Sequence, residues 1–68
     1  MQITITEYEK FLIRTMCDND LVMTKAAKEL HYHRNSIEHQ IKKLKLKTGY
    51  DLSTFYGAVA LLRLIEEE

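Results

Sequence analysis

The chain has 68 residues, of which 46% are apolar, and it contains no proline and one cysteine. A chain this short supports one small domain with a marginal core, and a single cysteine excludes an intramolecular disulfide. Basic and acidic side chains number 10 each, so the net charge by itself does not indicate a nucleic-acid partner.

The beginning of the chain has no basic segment followed by an apolar run, so it does not resemble a secretory leader. No apolar stretch approaches the roughly 20 residues that a membrane span needs. Cys17 is expected to act as a small hydrophobic residue in a reducing compartment. Together these features predict a soluble, cytoplasmic protein without a membrane partner.

Charge is distributed unevenly along the sequence. Seven basic and two acidic side chains give residues 24–47 a net charge of +5, whereas residues 1–23 and 48–68 carry −2 and −3. A basic central third between acidic ends is expected of a protein that binds a polyanion with one face. A solvated lysine-rich helix explains the same pattern, and charge alone does not separate the two interpretations.

The first helix is predicted to begin at Thr6, because the sequence Thr-Glu-Tyr-Glu over residues 6–9 fits a capping box. It should end near the Cys-Asp-Asn-Asp stretch at residues 17–20, where short polar side chains compete for backbone hydrogen bonds. Helical spacing puts one apolar stripe toward a core. The residues of this stripe are Tyr8, Phe11, Leu12, Thr15 and Met16.

A second, short helix is predicted to be capped by Thr24 and to turn Ala26, Ala27 and Leu30 inward. Two adjacent alanines allow another helix to approach closely. A break follows at residues 31–33, His-Tyr-His.

The third helix is predicted from about Arg34 to Lys47. Gly49 follows its lysine-rich last turn in the position of a helix-terminating glycine. Three apolar residues at helical spacing form its inner face: Ile37, Ile41 and Leu44.

The fourth helix is predicted to be capped by Ser53 or Thr54 and to reach about Glu66, and it is apolar nearly all round. One face holds Phe55, Ala58, Val59, Leu62 and Ile65, while Tyr56, Ala60, Leu61 and Leu64 lie elsewhere.

Because a chain this small cannot surround a helix, Tyr56, Leu61 and Leu64 are predicted to form a homodimer interface through the C-terminal helix. The alternative is that the first helix covers Leu61 and Leu64 within the chain.

Three histidines, His31, His33 and His39, raise the question of a metal site. No carboxylate or thiol has the spacing to complete a tetrahedral ligand set, and neither H-E-x-x-H nor paired C-x-x-C is present. A glycine-rich phosphate loop and a nucleophile elbow are also missing from the sequence. We therefore expect no metal, no cofactor and no enzymatic activity.

A short helix with adjacent small residues, a tight turn and a second helix make the pattern of a helix-turn-helix unit, whose second helix lies in the DNA major groove. Ala27 would lie at the helix crossing, and Leu30, Tyr32, Ile37 and Ile41 would point inward. The predicted DNA-binding residues are Thr24, Lys25, Arg34, Asn35, Ser36, Glu38, His39, Lys42 and Lys43.

The residue types at the start of the third helix suit base edges. Arginine pairs with guanine, asparagine with adenine or a phosphate, serine with either, and glutamate accepts from cytosine. The alternative is that Asn35 and Glu38 merely form another pair of helix-capping residues.

The segment from Thr24 to Leu52 also resembles the C-terminal helix-turn-helix domain of PucR-type bacterial transcription regulators, which include purine-catabolism and sugar-diacid regulators. The apolar helix after Asp51 fits this family too. The matching positions are His33-Arg34-Asn35-Ser36-Ile37, for the family's His-Arg-Asn-Thr-Leu, the hydrophobic Ile41 and Leu44, and Thr48-Gly49.

The resemblance implies a four-helix DNA-binding domain with Arg34, Asn35 and Ser36 as contact residues. Where the family commonly has Tyr-Arg, this chain has His39-Gln40. Family members usually carry the domain at the end of a longer chain, so this sequence is either an excised domain or a stand-alone small regulator.

The sequence therefore predicts an all-α protein whose residues 1–68 form one small four-helix helix-turn-helix domain. It is expected to bind double-stranded DNA as a homodimer and to regulate transcription. The alternative function is a homodimeric protein-interaction module with the same fold and little DNA affinity. The zero net charge and Gln40 favour that alternative, whereas the basic central third favours DNA binding.

Overall fold

A computed structural model of the protein describes residues 4–66, and four α-helices account for most of them. In chain order they are α1 (Glu7–Asp18), α2 (Met23–Leu30), α3 (Arg34–Thr48) and α4 (Phe55–Glu66). No strand occurs within residues 4–66, and the predicted all-α class is confirmed. Residues 1–3, which belong to the start of the chain that was predicted not to be a leader, lie outside the described residues. Glu67 and Glu68, which were counted in the charge of residues 48–68, also lie outside them.

Two predicted caps are confirmed. The backbone N–H of Glu9 donates to Thr6 Oγ1 at 3.1 Å, and the Thr6 N–H donates to Glu9 Oε1 at 2.9 Å, which completes the capping box of α1. At α4, the backbone N–H of Gly57 donates to Thr54 Oγ1 at 3.0 Å. These local side-chain bonds fix where the two helices begin.

The predicted cap at Thr24 is wrong, because α2 begins one residue earlier. Val22 occupies the N-cap position, makes no side-chain capping bond, and accepts the Ala26 N–H with its carbonyl at 3.1 Å. Thr24 is an exposed residue of the first turn of α2. Its side chain therefore faces solvent at the start of this helix.

The chain between α1 and α2 reverses through two non-glycine residues in the left-handed region, Asp20 at φ 56° and Leu21 at φ 63°. The backbone N–H of Leu21 donates to the Met16 carbonyl at 2.8 Å, and that of Asp20 to the Cys17 carbonyl at 3.3 Å. This bond pattern is a Schellman motif, which satisfies carbonyls at the end of α1.

The core forms where α1 packs on α2 and α4 and where α2 packs on α3. The predicted inner residues of α2 and α3 are confirmed, although Leu30 is only partly buried. The buried apolar residues are Ile5, Leu12, Ile13, Met16, Ala26, Ala27, Ile37, Ile41, Leu44, Leu52, Ala58, Leu61 and Ile65.

The predicted inner face of α1 is partly wrong. Phe11 is 55% exposed, whereas Ile13, which was not part of the predicted stripe, is fully buried. Because α1 contacts both α2 and α4, its buried side is wide enough to include the adjacent residues Leu12 and Ile13. The stripe is therefore rotated away from Phe11.

The predicted faces of α4 are also wrong in part. Phe55 is 79% exposed and Val59 is 37% exposed, whereas Leu61, predicted at a dimer interface, is fully buried. Gly57 is buried against the backbone of Asp51, and this contact turns the side of α4 with small residues inward. Because α1 packs on α4, the alternative that the first helix covers Leu61 and Leu64 is confirmed for Leu61, whereas Leu64 is only partly buried.

The contact between Gly57 and Asp51 predicts that Gly57→Ala is strongly destabilising. A methyl group at this position would overlap the backbone carbonyl of Asp51, and a backbone atom cannot move aside as the end of a side chain can. We expect a loss of about 3 kcal/mol or more in the free energy of unfolding, measured by urea titration.

Gly49→Ala is the matched control, because Gly49 has φ +84° but nothing lies within 4 Å of an added methyl group. Only backbone strain remains there, so a loss of about 1 kcal/mol is expected. Equal losses for the two variants would contradict the steric role of Gly57.

Candidate nucleic-acid interface

The connection between α2 and α3 consists of residues 31–33. His31 is left-handed, with φ 60° and ψ 34°. Its N–H donates to the Lys28 carbonyl at 3.2 Å, and the Tyr32 N–H donates to the Ala27 carbonyl at 2.8 Å. These two bonds form a Schellman motif, so α2 ends sharply and α3 begins after three residues.

Tyr32 does not point into the core as predicted, because it is 47% exposed. Its ring lies beside that of Tyr8 on α1, with centroids 6.0 Å apart and planes at 59°. This tilted arrangement is favourable for aromatic pairs. Burial raises the pKa of the Tyr8 phenol, and the adjacent Tyr32 phenol raises it further. The pair connects the turn to the start of α1.

The first turn of α3 presents Arg34, Asn35 and Ser36, all exposed. The N-cap residue of α3 is His33, and no side chain makes a capping bond there. The alternative in which Asn35 and Glu38 serve as a capping pair is therefore wrong. The side chains at this end of α3 are available to a ligand.

Further along α3, His39, Lys42 and Lys43 are exposed, and Glu38 is partly buried. The Nζ of Lys42 lies 4.0 Å from Glu38 Oε1 in an (i, i+4) ion pair. Such an exposed pair contributes little to stability, so it leaves Lys42 able to exchange partners. The outer side of α3 is thus polar and mainly basic.

Residues at the start of α2 lie beside this surface. Met23 lines a shallow cleft together with Glu38, Lys42 and Lys45 of α3. The next two residues, Thr24 and Lys25, are both exposed. The structure therefore brings the predicted residues of α2 near one flank of α3.

A second basic residue of α3, Lys47, is paired with a carboxylate of another helix. Lys47 Nζ lies 2.6 Å from Glu9 Oε1, which joins the end of α3 to the start of α1. Burial opposes ionisation of Glu9, but hydrogen bonds from Lys47 and from the Thr6 backbone outweigh it and lower the pKa of this carboxyl. Nothing in the sequence indicated this pair, because its members are 38 residues apart.

The three histidines are all exposed: His31 in the turn, His33 at the N-cap of α3 and His39 on its outer side. Within residues 4–66, no group of three or more His, Cys, Asp or Glu side chains is arranged to hold a metal ion. Burial, and then the Asp18 carboxylate, raise the pKa of the Cys17 thiol, which favours its protonated form. In the same range, no helix combines the length and apolar character required to span a bilayer.

The side of α4 away from the core carries a cleft with both polar and apolar lining, which we call the α4 cleft. Tyr56 is 82% exposed, and the neighbouring Phe55 is also largely exposed. The residues that line the cleft are Tyr50, Tyr56, Val59, Ala60, Arg63 and Leu64.

Comparison with known proteins gives a family match over residues 12–64, to the PucR C-terminal helix-turn-helix domain. The chain belongs to this family. The match begins within α1 and ends within α4, so it includes the whole helix-turn-helix and its supporting core. The predicted resemblance is confirmed.

A relative of this PucR-type domain occurs in Bacillus subtilis (strain 168), where it is described as the uncharacterized protein YxkF. The two are 36% identical over 47 residues, which cover 69% of this chain and 16% of YxkF. The chain thus spans a small part of this relative. No solved structure gives a significant match.

The left-handed turn of this PucR-type domain predicts that His31→Gly is stabilising. A non-glycine residue at φ 60° is destabilised by a steric clash of its Cβ atom, whereas glycine adopts this conformation freely. The main cost of glycine is the larger conformational entropy of the unfolded chain. We expect the free energy of unfolding to rise by about 0.5 to 1 kcal/mol in thermal or urea unfolding. His33→Gly is the control, because His33 has φ −74° and should gain nothing. A loss of stability in His31→Gly would contradict the strain at this residue.

Proposed function

We propose that this PucR-type domain binds double-stranded DNA in a sequence-specific manner and thereby regulates transcription. The observation that carries the proposal is the exposed first turn of α3, where Arg34, Asn35 and Ser36 are free of capping bonds. A recognition helix meets base edges with the residues of its first turns. With 15 residues, α3 is about 22 Å long and of a diameter that fits a major groove about 12 Å wide.

Each outward residue of α3 has a proposed contact. Arg34 would donate to guanine, Asn35 to adenine or a phosphate, and Ser36 to either a base or a phosphate. Glu38 would accept from cytosine once its weak pair with Lys42 opens. His39, the next residue after Glu38, is exposed and would contact the groove.

Contacts with the DNA backbone fix the position of a protein on the duplex but do not distinguish one base sequence from another. Thr24 and Lys25 at the start of α2, together with Lys42 and Lys43 of α3, are exposed and would meet phosphates. We take residues 1–68 as one domain with no catalytic role. Binding to DNA would place it in the cytoplasm of a bacterial cell, where the chromosome lies.

The alternative is a protein-interaction module that keeps the helix-turn-helix and binds DNA poorly. The zero net charge supports it. The concentration of exposed cations on α2 and α3 favours DNA instead, because association with a polyanion depends on the local charge of the binding face. Salt dependence distinguishes the two functions.

We expect affinity for a duplex selected from random DNA to fall steeply with salt, with a log–log slope of about −4 to −5 per subunit. Lys43→Gln should weaken this slope by about 0.9, because it removes one phosphate contact. Lys47→Gln is the matched control and should change the slope less, because Lys47 is already paired with Glu9. A flat salt response would favour the protein-interaction module.

Arg34→Ala tests base recognition in the same binding assay. We expect a loss of about 1 to 3 kcal/mol on the selected duplex and a relaxed preference at one base pair. Thermal stability should barely change, because Arg34 is exposed. Arg14→Ala, at an exposed position on α1, should leave binding intact. Unchanged binding by Arg34→Ala would contradict the assignment of α3 as the recognition helix.

We also propose that two copies of the domain pair through the α4 cleft. Tyr56 is 82% exposed, and Ala60 beside it is small enough for another helix to approach. An antiparallel two-fold pairing centred between Val59 and Ala60 would place Tyr56 against the partner subunit's Arg63, a favourable cation–π contact. This interface replaces the predicted one, since Leu61 is buried.

Val59→Glu is expected to convert a dimeric parent into a folded monomer, measured by sedimentation or light scattering. Because residue 59 would lie beside the two-fold axis, the two added carboxylates would approach each other, and their repulsion and desolvation would oppose association. Phe11→Glu is the matched control, because Phe11 is an exposed apolar residue on α1 and its replacement should not change the mass. A monomeric parent, or a Val59→Glu dimer, would rule out pairing through this cleft.

A further inference from the structure

A second concave surface lies on the flank of α3 nearest to α1. Four uncharged side chains line it: Tyr8 from α1, Tyr32 from the turn, and Ser36 and Gln40 from α3. Each of them carries a hydrogen-bond donor, a hydroxyl or an amide NH₂. We call this surface the tyrosine cleft.

The tyrosine cleft continues along α3 toward a cation. Ser36, Gln40 and Lys43 are spaced at i, i+4 and i+7, so they lie on one flank of the helix. Lys43 is exposed at the end of this row. The cleft is thus a row of neutral donors that ends in a positive charge.

The acidic residues near the start of α1 would repel an anion unless their charge is balanced. Glu9 is paired with Lys47 at 2.6 Å, and Glu7 lies 3.6 Å from Lys10 Nζ. Both carboxylates of the first turn of α1 therefore have cationic partners. This balance leaves the tyrosine cleft suited to a group that only accepts hydrogen bonds.

The two flanks of α3 differ in chemistry. The flank beside the start of α2 carries Lys42 and Lys45, whereas the opposite flank carries the tyrosine cleft. A helix about 10–12 Å across fills a major groove about 12 Å wide, so the two DNA strands run along its two sides. Each flank of α3 would therefore face a different DNA strand.

We infer that the tyrosine cleft binds one backbone phosphate of the DNA strand opposite to the strand that Lys42 would contact. This inference rests on the proposed function. Phosphate oxygens are acceptors, and Tyr8, Tyr32, Ser36 and Gln40 each carry a phenol, hydroxyl or amide group that can donate to them. The Tyr8 hydroxyl is hydrogen-bonded to Tyr32 and would exchange that bond for one to the phosphate. The contact fixes how far α3 rolls in the groove and carries no base information.

Neutral donors have a distinctive effect on binding. A lysine that contacts a phosphate releases a counterion and steepens the salt dependence, whereas a phenol adds affinity without changing the charge. The double substitution Tyr8→Phe with Tyr32→Phe keeps both rings and removes only the hydroxyls. We expect it to lower affinity about ten-fold, equally for the selected duplex and for unrelated DNA, at an unchanged log–log salt slope.

Two variants complete this test. Arg14→Ala changes an exposed side chain of α1 that does not line the tyrosine cleft and should leave affinity unchanged. Gln40→Lys places a charge in the cleft and should raise affinity at low salt, with a slope steeper by about 0.9. Thermal unfolding of each variant verifies that the fold is kept.

Methylphosphonate substitution then locates the phosphate, because it removes the charge of one phosphate at a time. Scanned along both strands of the selected duplex, it should reveal one position at which the parent loses affinity and the double tyrosine variant loses none. The scan should also reveal one position at which the parent loses affinity and Lys42→Gln loses none. These two positions should lie on opposite strands.

The outcomes separate this inference from the proposed function. A parent that binds no duplex refutes the proposed function itself. A parent that binds DNA while the double tyrosine variant binds equally well refutes only the phosphate contact. Loss of affinity confined to the selected duplex would also overturn it, because it would mean that the hydroxyls read a base.

Discussion

The position of α3 depends on the left-handed conformation of His31. With φ 60° at this residue, the carbonyls of Ala27 and Lys28 accept hydrogen bonds from the turn, and α2 cannot continue. The following three-residue connection sends α3 across α2, whose paired alanines are small enough for close contact. The exposed first turn of α3 is a consequence, because only its inner side is needed for the core.

The same turn connects α3 to the rest of the protein. Tyr32 packs on Tyr8 of α1, and Lys47 at the far end of α3 pairs with Glu9 of α1. The start of α1 therefore contacts α3 near both of its ends. A helix held in this way keeps its outer side chains in a fixed orientation, which a reader of base edges requires.

Local signals in the sequence were sufficient for much of the fold. The capping box at Thr6 and the terminating Gly49 are read from short-range chemistry, and both occur as predicted. The face of α3 was also predictable, because Ile37, Ile41 and Leu44 leave a single apolar stripe on an otherwise polar helix. The residues proposed to meet DNA on α3 follow directly from that assignment.

Tertiary contacts determine the features of the fold that local sequence patterns could not predict. Because α4 is apolar on nearly every side, its rotation is set by the approach of the Asp51 backbone to Gly57, a contact that no periodicity reveals. The tyrosine cleft brings Tyr8 next to Tyr32, and the two lie far apart in the chain. Likewise, the pairing of Lys47 with Glu9 joins two distant segments. Sequence reasoning therefore predicted the exposed outer residues of α3 but missed the cleft on its flank.

Under the proposed function, the pairing of Lys47 with Glu9 also limits how much DNA sequence one domain could contact. With that end of α3 engaged by α1, the surface open to DNA extends from Arg34 to about Lys43, which is roughly 14 Å, or about four base pairs. A given sequence of four base pairs recurs by chance about once in 256 positions, while a genome offers on the order of a million or more competing sites. A single copy would therefore carry too little information to specify one promoter, and a regulator built on this domain would need to contact at least two such sequences at a fixed spacing.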